Sequence, residues 1–242
     1  MSKIIVITGG TSGIGKQLAK EYSHSNMVFV LAKNREKIMQ TKKEINSKNI
    51  FFIECDLNNE KDIQKSFNYI KQKTNHIDVL INNAAYDNMS SIENYSYEEF
   101  SKIVSTNLIG KMLCIKYSVN LLKISDYPSI INIASRLAFK PMMNSSAYCC
   151  AAAGIIMLTK CAALELEKYS IRVNSISPSL TKTPLAIKSY TKDVINDTEK
   201  KSTRKRLCEI NDIYNLIEFL ISKESDFING ENINLNGGIL LK

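Results

Sequence analysis

The sequence predicts a doubly wound α/β fold, with a seven-stranded parallel sheet and helices on both faces. Three observations point there. Short apolar runs alternate with longer amphipathic stretches along the whole chain. The runs are nearly continuous in apolar residues, as strands covered on both faces must be. The first run ends in a glycine-rich turn that opens a helix.

The strands are expected at 3–8 (KIIVIT), 27–32 (MVFVLA), 50–54 (IFFIE), 79–81, 129–133 (SIINI), 172–177 (RVNSIS) and 232–235. Helical periodicity marks 13–24, 35–46, 59–74, 96–122, 146–169 and 212–222 between them. Strand–helix–strand succession implies right-handed crossovers. No repeat, low-complexity tract or Gly/Ser linker interrupts the 242 residues, so a single nucleotide-binding domain over 1–242 is expected. The stretch at about 179–206 is polar, basic and weakly periodic, and reads as a lid over a substrate site.

Bulk properties narrow the function. Hydrophobic residues make up 44% and charged residues 23%, ordinary values for a globular protein. The six cysteines and two histidines, His24 and His76, show no metal-ligand spacing, so no metal site is expected. The opening MSKIIVITGG has no signal-peptide pattern, and no uninterrupted apolar run has the length of a membrane span. A cytoplasmic protein with reduced thiols is expected. The net charge of +8 is spread along the chain, against a dedicated nucleic-acid surface. One cluster, Lys200, Lys201, Arg204, Lys205 and Arg206, has two readings: a solvated helix face, or a dock for an anionic substrate.

Thr8-Gly9-Gly10-Thr11-Ser12-Gly13-Ile14-Gly15 follows the first strand. Four of the nine glycines in the chain fall here, where the backbone must turn sharply and let a pyrophosphate approach bare peptide. The helix after the loop presents unpaired N–H groups and a partial positive charge to the phosphates. After the second strand, Lys33, Asn34 and Arg35 stand where an acid would favour NAD(H); basic residues there favour NADP(H). Asp56, with Leu57 next to it, ends the third strand and reads either as an adenine contact or as a helix cap.

Together these features resemble the short-chain dehydrogenase/reductase family in its single-domain, Rossmann-type form, from end to end. The TGxxxGxG signature is met at Thr8 to Gly15, and the NNAG motif appears as Asn82-Asn83-Ala84-Ala85. The family's helix asparagine matches Asn107, its strand-end serine Ser135, and its tyrosine Tyr148, at the usual spacing of 13 from the serine. Pro178 and Thr183 match the loop after the sixth strand. The resemblance implies a nicotinamide-dependent oxidoreductase that interconverts a ketone and a secondary alcohol. Ser135 would polarise the carbonyl and Tyr148 transfer the proton. Gly9, Thr11, Ser12, Gly13, Ile14, Gly15, Lys33, Asn34, Asp56, Leu57, Asn83, Ala84, Ala85, Tyr148, Pro178 and Thr183 would hold the cofactor. It further implies a homo-oligomer, dimer or tetramer, built through helices 96–122 and 146–169.

The family pattern is YxxxK, and here Tyr148 is followed by Cys149, Cys150, Ala151 and Ala152. A phenol titrates near pH ~10, and a lysine one turn away lowers that value. Ala152 provides neither charge nor hydrogen bonds, so impaired catalysis is expected, by a hundredfold to ten-thousandfold on the order of magnitude of a lost acid–base assistant. Lys160 lies about 18 Å further along the helix and cannot reach. Arg136, Lys140 and Lys182 flank the site and are the candidate substitutes. Two origins of Ala152 stand open, an introduced lysine-to-alanine change and a natural loss with compensation. A non-catalytic nucleotide-binding sensor or scaffold is the alternative function. The basic lid points to a 3-oxoacyl thioester or another anionic ketone as substrate.

Overall fold

The computed structural model describes residues 2–183, 186–187 and 190–241. Seven parallel strands form one sheet: β1 Ile4–Thr8, β2 Met27–Ala32, β3 Ile50–Glu54, β4 Val79–Asn82, β5 Ser129–Ile133, β6 Arg172–Ile176 and β7 Asn232–Ile233. Their order is β3-β2-β1-β4-β5-β6-β7. Winding reverses between β1 and β4, so a crevice opens beyond the carboxyl ends of those two strands, where such sheets bind ligands. The last strand is shorter than expected, yet its pairing continues: Leu235 N–H donates to Ser177 O at 3.0 Å and Ser179 N–H to Leu235 O at 3.1 Å.

The side-chain period of two divides the core into two layers. Val6, Phe29, Leu31, Leu80 and Ile130 face one side, covered by α3 (Glu60–Lys73), α5 (Gly110–Leu122) and α6 (Ser146–Leu166). Ile5, Ile7, Val28, Val30, Ile81 and Ile131 face the other, covered by α1 (Gly13–Tyr22) and the helix Ile210–Leu220. α2 (Arg35–Ile45) completes this second face through Ile38.

The long helix expected over 96–122 is in fact three pieces: α4 Tyr97–Val104, a π turn Ser105–Ile109, and α5. The lid contains a helix that the sequence pattern did not reveal, α7 Lys192–Lys201, so that Ile210–Leu220 becomes α8. The lid residues Pro184, Leu185, Lys188 and Ser189 lie outside the described residues. Lys160 breaks the apolar run of the long helix α6, as expected from sequence, but the mean hydropathy of that helix is high. Ser146–Tyr169, which is α6 plus a closing 3-10 turn, is long and apolar enough to cross a membrane by length and composition. In this fold its Ala151, Ile155, Thr159, Ala162 and Leu166 are buried, as in a core helix.

A chain of buried polar groups ties the central strands to α5 and α6. Asn82 Nδ2 donates to Asn132 Oδ1 at 2.9 Å and to the Lys111 carbonyl at 3.3 Å. Asn132 Nδ2 donates to Thr159 Oγ1 at 2.9 Å, and that hydroxyl donates to Ile155 O at 2.8 Å. This chain sets the height of both helices above the sheet. Removing one member strands the others in a dry interior. Asn132→Leu is therefore expected to cost about 2–4 kcal/mol in urea unfolding, against less than about 1 kcal/mol for a substitution at exposed Glu98.

Candidate active site

The crevice is organised by the loop after β4. Thr8 Oγ1 accepts hydrogen bonds from the N–H groups of Asn83 and Ala84, both at 3.0 Å. Asn83 Nδ2 returns a bond to Thr8 O at 3.0 Å and a longer one to Gly9 O at 3.4 Å. Glycine is demanded in this packing. Gly9 has φ +72°, and a Cβ there would lie 2.8 Å from Ala84 Cα. At Gly15 a Cβ would lie 2.5 Å from the Gly9 carbonyl oxygen.

The loop fits a dinucleotide. Among the helices, α2, α3, α4 and α7 have a side-chain cap and an acidic residue in the first turn. α1 has neither; Ser12, at its N-cap position, makes no capping bond with its side chain. The N–H donors and positive end of this helix stay available to an anion, in the one place where glycines keep the backbone bare.

A cavity of about 300 Å³ lies beside the loop. It gathers nine of the residues expected from sequence: Ile14, Asn83, Ala85, Asn107, Ser135, Tyr148, Ala152, Pro178 and Thr183. Ser135 follows β5 by two residues and caps the 3-10 turn Arg136–Ala138, its hydroxyl accepting from Leu137 N–H at 3.2 Å. Tyr148 comes from the first turn of α6. Asn107 sits in the π turn. Its Oδ1 accepts from Tyr86 N–H and its Nδ2 donates to Tyr86 O, both at 2.8 Å, so it is locked to the strand-end loop across from it.

Known proteins are similar to this chain in sequence and fold. Over residues 9–240 the chain matches the family described as Enoyl-(Acyl carrier protein) reductase. It is 29% identical over 240 residues to the NAD-dependent glycerol dehydrogenase of Listeria innocua, covering 99% of this chain and 94% of the relative. It is 27% identical over 244 residues to the acetoacetyl-CoA reductase of an Acinetobacter species, covering 99% and 98%. The crystal structure of 3-ketoacyl-(acyl-carrier-protein) reductase from Brucella melitensis, complexed with NADH, superposes with a TM-score of 0.89 at 26% identity, covering 98% of each chain. The chain belongs to the short-chain dehydrogenase/reductase family. It is an NAD(P)-dependent dehydrogenase or reductase.

Not every residue expected to serve this dehydrogenase lines the cavity. Gly9, Thr11, Ser12, Gly13 and Gly15 lie in the adjoining loop, outside the cavity wall. At the other end of the crevice, Lys33 Nζ pairs with Asp56 Oδ2 at 2.7 Å. Burial works against the Asp56 carboxylate, but Lys33 and Asn58 hold its pKa below the usual range. Asn34 caps α2, accepting from Lys37 N–H at 2.8 Å, which commits its side-chain oxygen to the helix. Asp56 is not a helix cap; Asn59 takes that role for α3. Leu57 is buried in the core, so its side chain serves packing. Within the basic cluster, Lys201 pairs with Asp197 at 2.6 Å and Arg206 makes two bonds to Asp212, at 2.6 and 2.9 Å. That much of its charge is answered locally.

The electrostatics of the cavity centre on Tyr148. Burial pushes its phenol up to about 12; the Ser135 hydroxyl opposes that rise, and Asp87 and Tyr190 add to it. Burial also raises the Asp87 carboxyl and lowers the Arg136 guanidinium. Of the cations considered from sequence, Arg136 lines the cavity, whereas Lys140 and Lys182 are exposed and do not.

Sequence reasoning missed Lys111. It lies in an apolar stretch of α5, is 3% exposed, and lines the cavity together with Ala152. Its Nζ donates to Ile133 O at 2.6 Å. A signal was present: Lys111 comes four residues after Asn107, the spacing that puts two side chains on one helix face. Burial drives its amine down to about 7, with Cys114 opposing.

The stability consequence has a definite sign. In the unfolded chain a lysine keeps its proton to about pH 10.4; in the fold, Lys111 releases it near 7. Between those values the unfolded state binds more protons, so stability rises with pH, and the full penalty applies below about 7. Lys111→Met removes the penalty. Its stability relative to the parent chain, from urea unfolding, is expected to improve by on the order of a few kcal/mol as pH falls from 10 to 7. A difference that stays flat with pH would show that the lysine keeps an ordinary pKa.

Proposed function

We propose that this dehydrogenase interconverts a ketone and a secondary alcohol, preferring NADP(H) to NAD(H), in the cytoplasm. The observation that carries the reading is the convergence of Ser135, Tyr148 and Asn107 on one cavity that abuts the glycine loop through Ile14 and Asn83. When bound, the nicotinamide dinucleotide supplies or accepts a hydride. The N–H groups at the start of α1 would hold its pyrophosphate, and Asn83, Ala85, Pro178 and Thr183 would flank its nicotinamide half. Lys33 would exchange Asp56 for a 2′-phosphate. Ser135 donates a hydrogen bond to the substrate carbonyl and polarises it. Tyr148 gives its proton to the carbonyl oxygen during reduction and takes one from the alcohol during oxidation. Asn107 holds the strand-end loop in place.

The substrate class is set by the surroundings of these groups. Arg136 stays charged at any working pH and sits partly buried on the cavity wall, so it favours a substrate with an anionic or strongly polar group near the ketone. A 3-oxoacyl thioester satisfies this, and the acetoacetyl-CoA and 3-ketoacyl reductases among the relatives support it. The outward apolar side chains Ile109, Met112, Met157 and Leu164 on the π turn, α5 and α6 support a homo-oligomer, dimer or tetramer.

Ala152 favours a second reading, a sensor or scaffold that binds the nucleotide without turnover. Nicotinamide oxidation with NADPH and NADH, over a panel of ketones and 3-oxoacyl thioesters, separates the two. Turnover is expected, with the higher kcat/KM for NADPH; tight binding without any turnover supports the sensor. Tyr148→Phe is expected to lower kcat by about 10²–10⁴ while the NADPH dissociation constant changes little. Lys33→Asp is expected to shift preference towards NADH by about tenfold or more, read as the ratio of kcat/KM values; an unchanged ratio would remove Lys33 from cofactor selection.

A further inference from the structure

The cavity wall has a gap and, beside it, a side chain out of place. Ala152 sits one turn after Tyr148 and leaves room where a longer residue would reach the cavity. Lys111 enters that cavity from the neighbouring helix α5. It has no carboxylate partner among the described residues. Its one hydrogen-bond acceptor among them is the Ile133 carbonyl, two positions before Ser135. An ammonium has three N–H donors, so two remain for whatever fills the cavity. An unpaired buried amine is costly, and an apolar residue of the same length would stabilise the fold.

We propose that Lys111 supplies from α5 the amine that position 152 lacks, acting as the cationic partner of Tyr148 and as a hydrogen-bond donor to the ligands of the cavity. This rests on the oxidoreductase reading above. During reduction the Tyr148 proton passes to the carbonyl oxygen and leaves a phenolate. The Lys111 ammonium stabilises that phenolate and returns a proton to it, and the neutral amine recovers its proton from solvent. Oxidation runs the same transfers backwards. Asn107, on the same helical run, fixes the approach of α5 and so the height from which Lys111 reaches in.

The amine is suited to this exchange because it titrates close to neutral pH. The other titratable groups around it are Cys114 on its own helix, Tyr148 from α6, Asp87 after β4, Arg136 after β5 and Tyr190 from the lid. Burial raises the cysteine and both tyrosines, and Arg136 stays charged. Lys111 is thus the group that changes charge near neutral pH, while burial also raises the Asp87 carboxyl on the cavity wall.

The test compares the parent chain with Lys111→Met, Lys111→Gln and the exchange Lys111→Met/Ala152→Lys. Each is checked for folding by circular dichroism. Lys111→Gln keeps a donor for the Ile133 carbonyl without ever being charged, and it stands in if the methionine variant fails to fold. Two readouts are taken: kcat against pH, and the NADPH dissociation constant from cofactor fluorescence at pH 6 and pH 9. The expected results are a fall in kcat of about 10²–10⁴ and loss of a break near neutral pH in the kcat profile. NADPH binding should weaken about tenfold at pH 6 and by less at pH 9. The exchange variant should recover both readouts. The proposal is overturned if Lys111→Met keeps kcat within about threefold with the pH break intact, or if kcat falls while NADPH binding is unchanged and the exchange restores nothing. If the parent turns over no substrate, the binding data still decide: a pH-dependent loss in Lys111→Met upholds the amine while the oxidoreductase reading fails, and unchanged binding overturns the proposal.

Discussion

The clamp between Thr8 and Asn83 is the constraint on which the site depends. One hydroxyl and one carboxamide join the end of β1 to the end of β4, across the point where the winding of the sheet reverses. With those strand ends held, the glycine loop can run so close to the β4 loop that no Cβ fits between them. The start of α1 then points its bare N–H groups into the crevice. The buried chain from Asn82 through Asn132 to Thr159 extends the same fastening to α5 and α6. The cavity is therefore shaped by polar groups of fixed geometry at its base, with apolar layers on both faces of the sheet pressing them together.

Much of this was legible in the sequence, for physical reasons that differ by element. β1 and β2 are buried on both faces and apolar almost throughout, and β3 and β5 carry short apolar runs of the same kind, so all four were legible with limits accurate to about one residue. The glycine loop was legible because only glycine tolerates its contacts. Tyr148, Ser135 and Asn107 were found through family spacing, and the fold brings them to one cavity. The helix α7 was not legible. Its sequence KDVINDTEKK has no broad apolar stripe, and its one buried residue is Thr198. The π turn was hidden as well, since a single wider turn barely disturbs apolar periodicity over 27 residues, from 96 to 122.

Lys111 shows a different limit. Searching for a replacement cation among residues flanking the site loops looks along the chain, whereas the gap at Ala152 is filled from a helix that is adjacent only in space. The charge type misled too, because a lysine in an amphipathic stretch is normally placed on the wet face. The cavity itself overrides that rule, because the amine finds an acceptor at Ile133 and lies on the cavity wall. The same fold that isolates the amine from water also makes its proton easy to remove.

The π turn at Ser105–Ile109 has a consequence for how this helical segment can vary in length. Asn107 lies inside the turn and Lys111 just after it, and both reach the same cavity. The extra residue of a π turn sets the angular phase between α4 on its N-terminal side and α5 on its C-terminal side. A π turn takes up one residue more than an α turn, so deleting one residue there would give a regular helix and leave α5 close to its present phase relative to α4. A deletion within the regular part of α5 would instead rotate everything beyond it by about 100°, the angle per residue of an α-helix. A change of length is thus absorbed at the turn that carries Asn107, and exchanges the side chains of the wall elsewhere along α5.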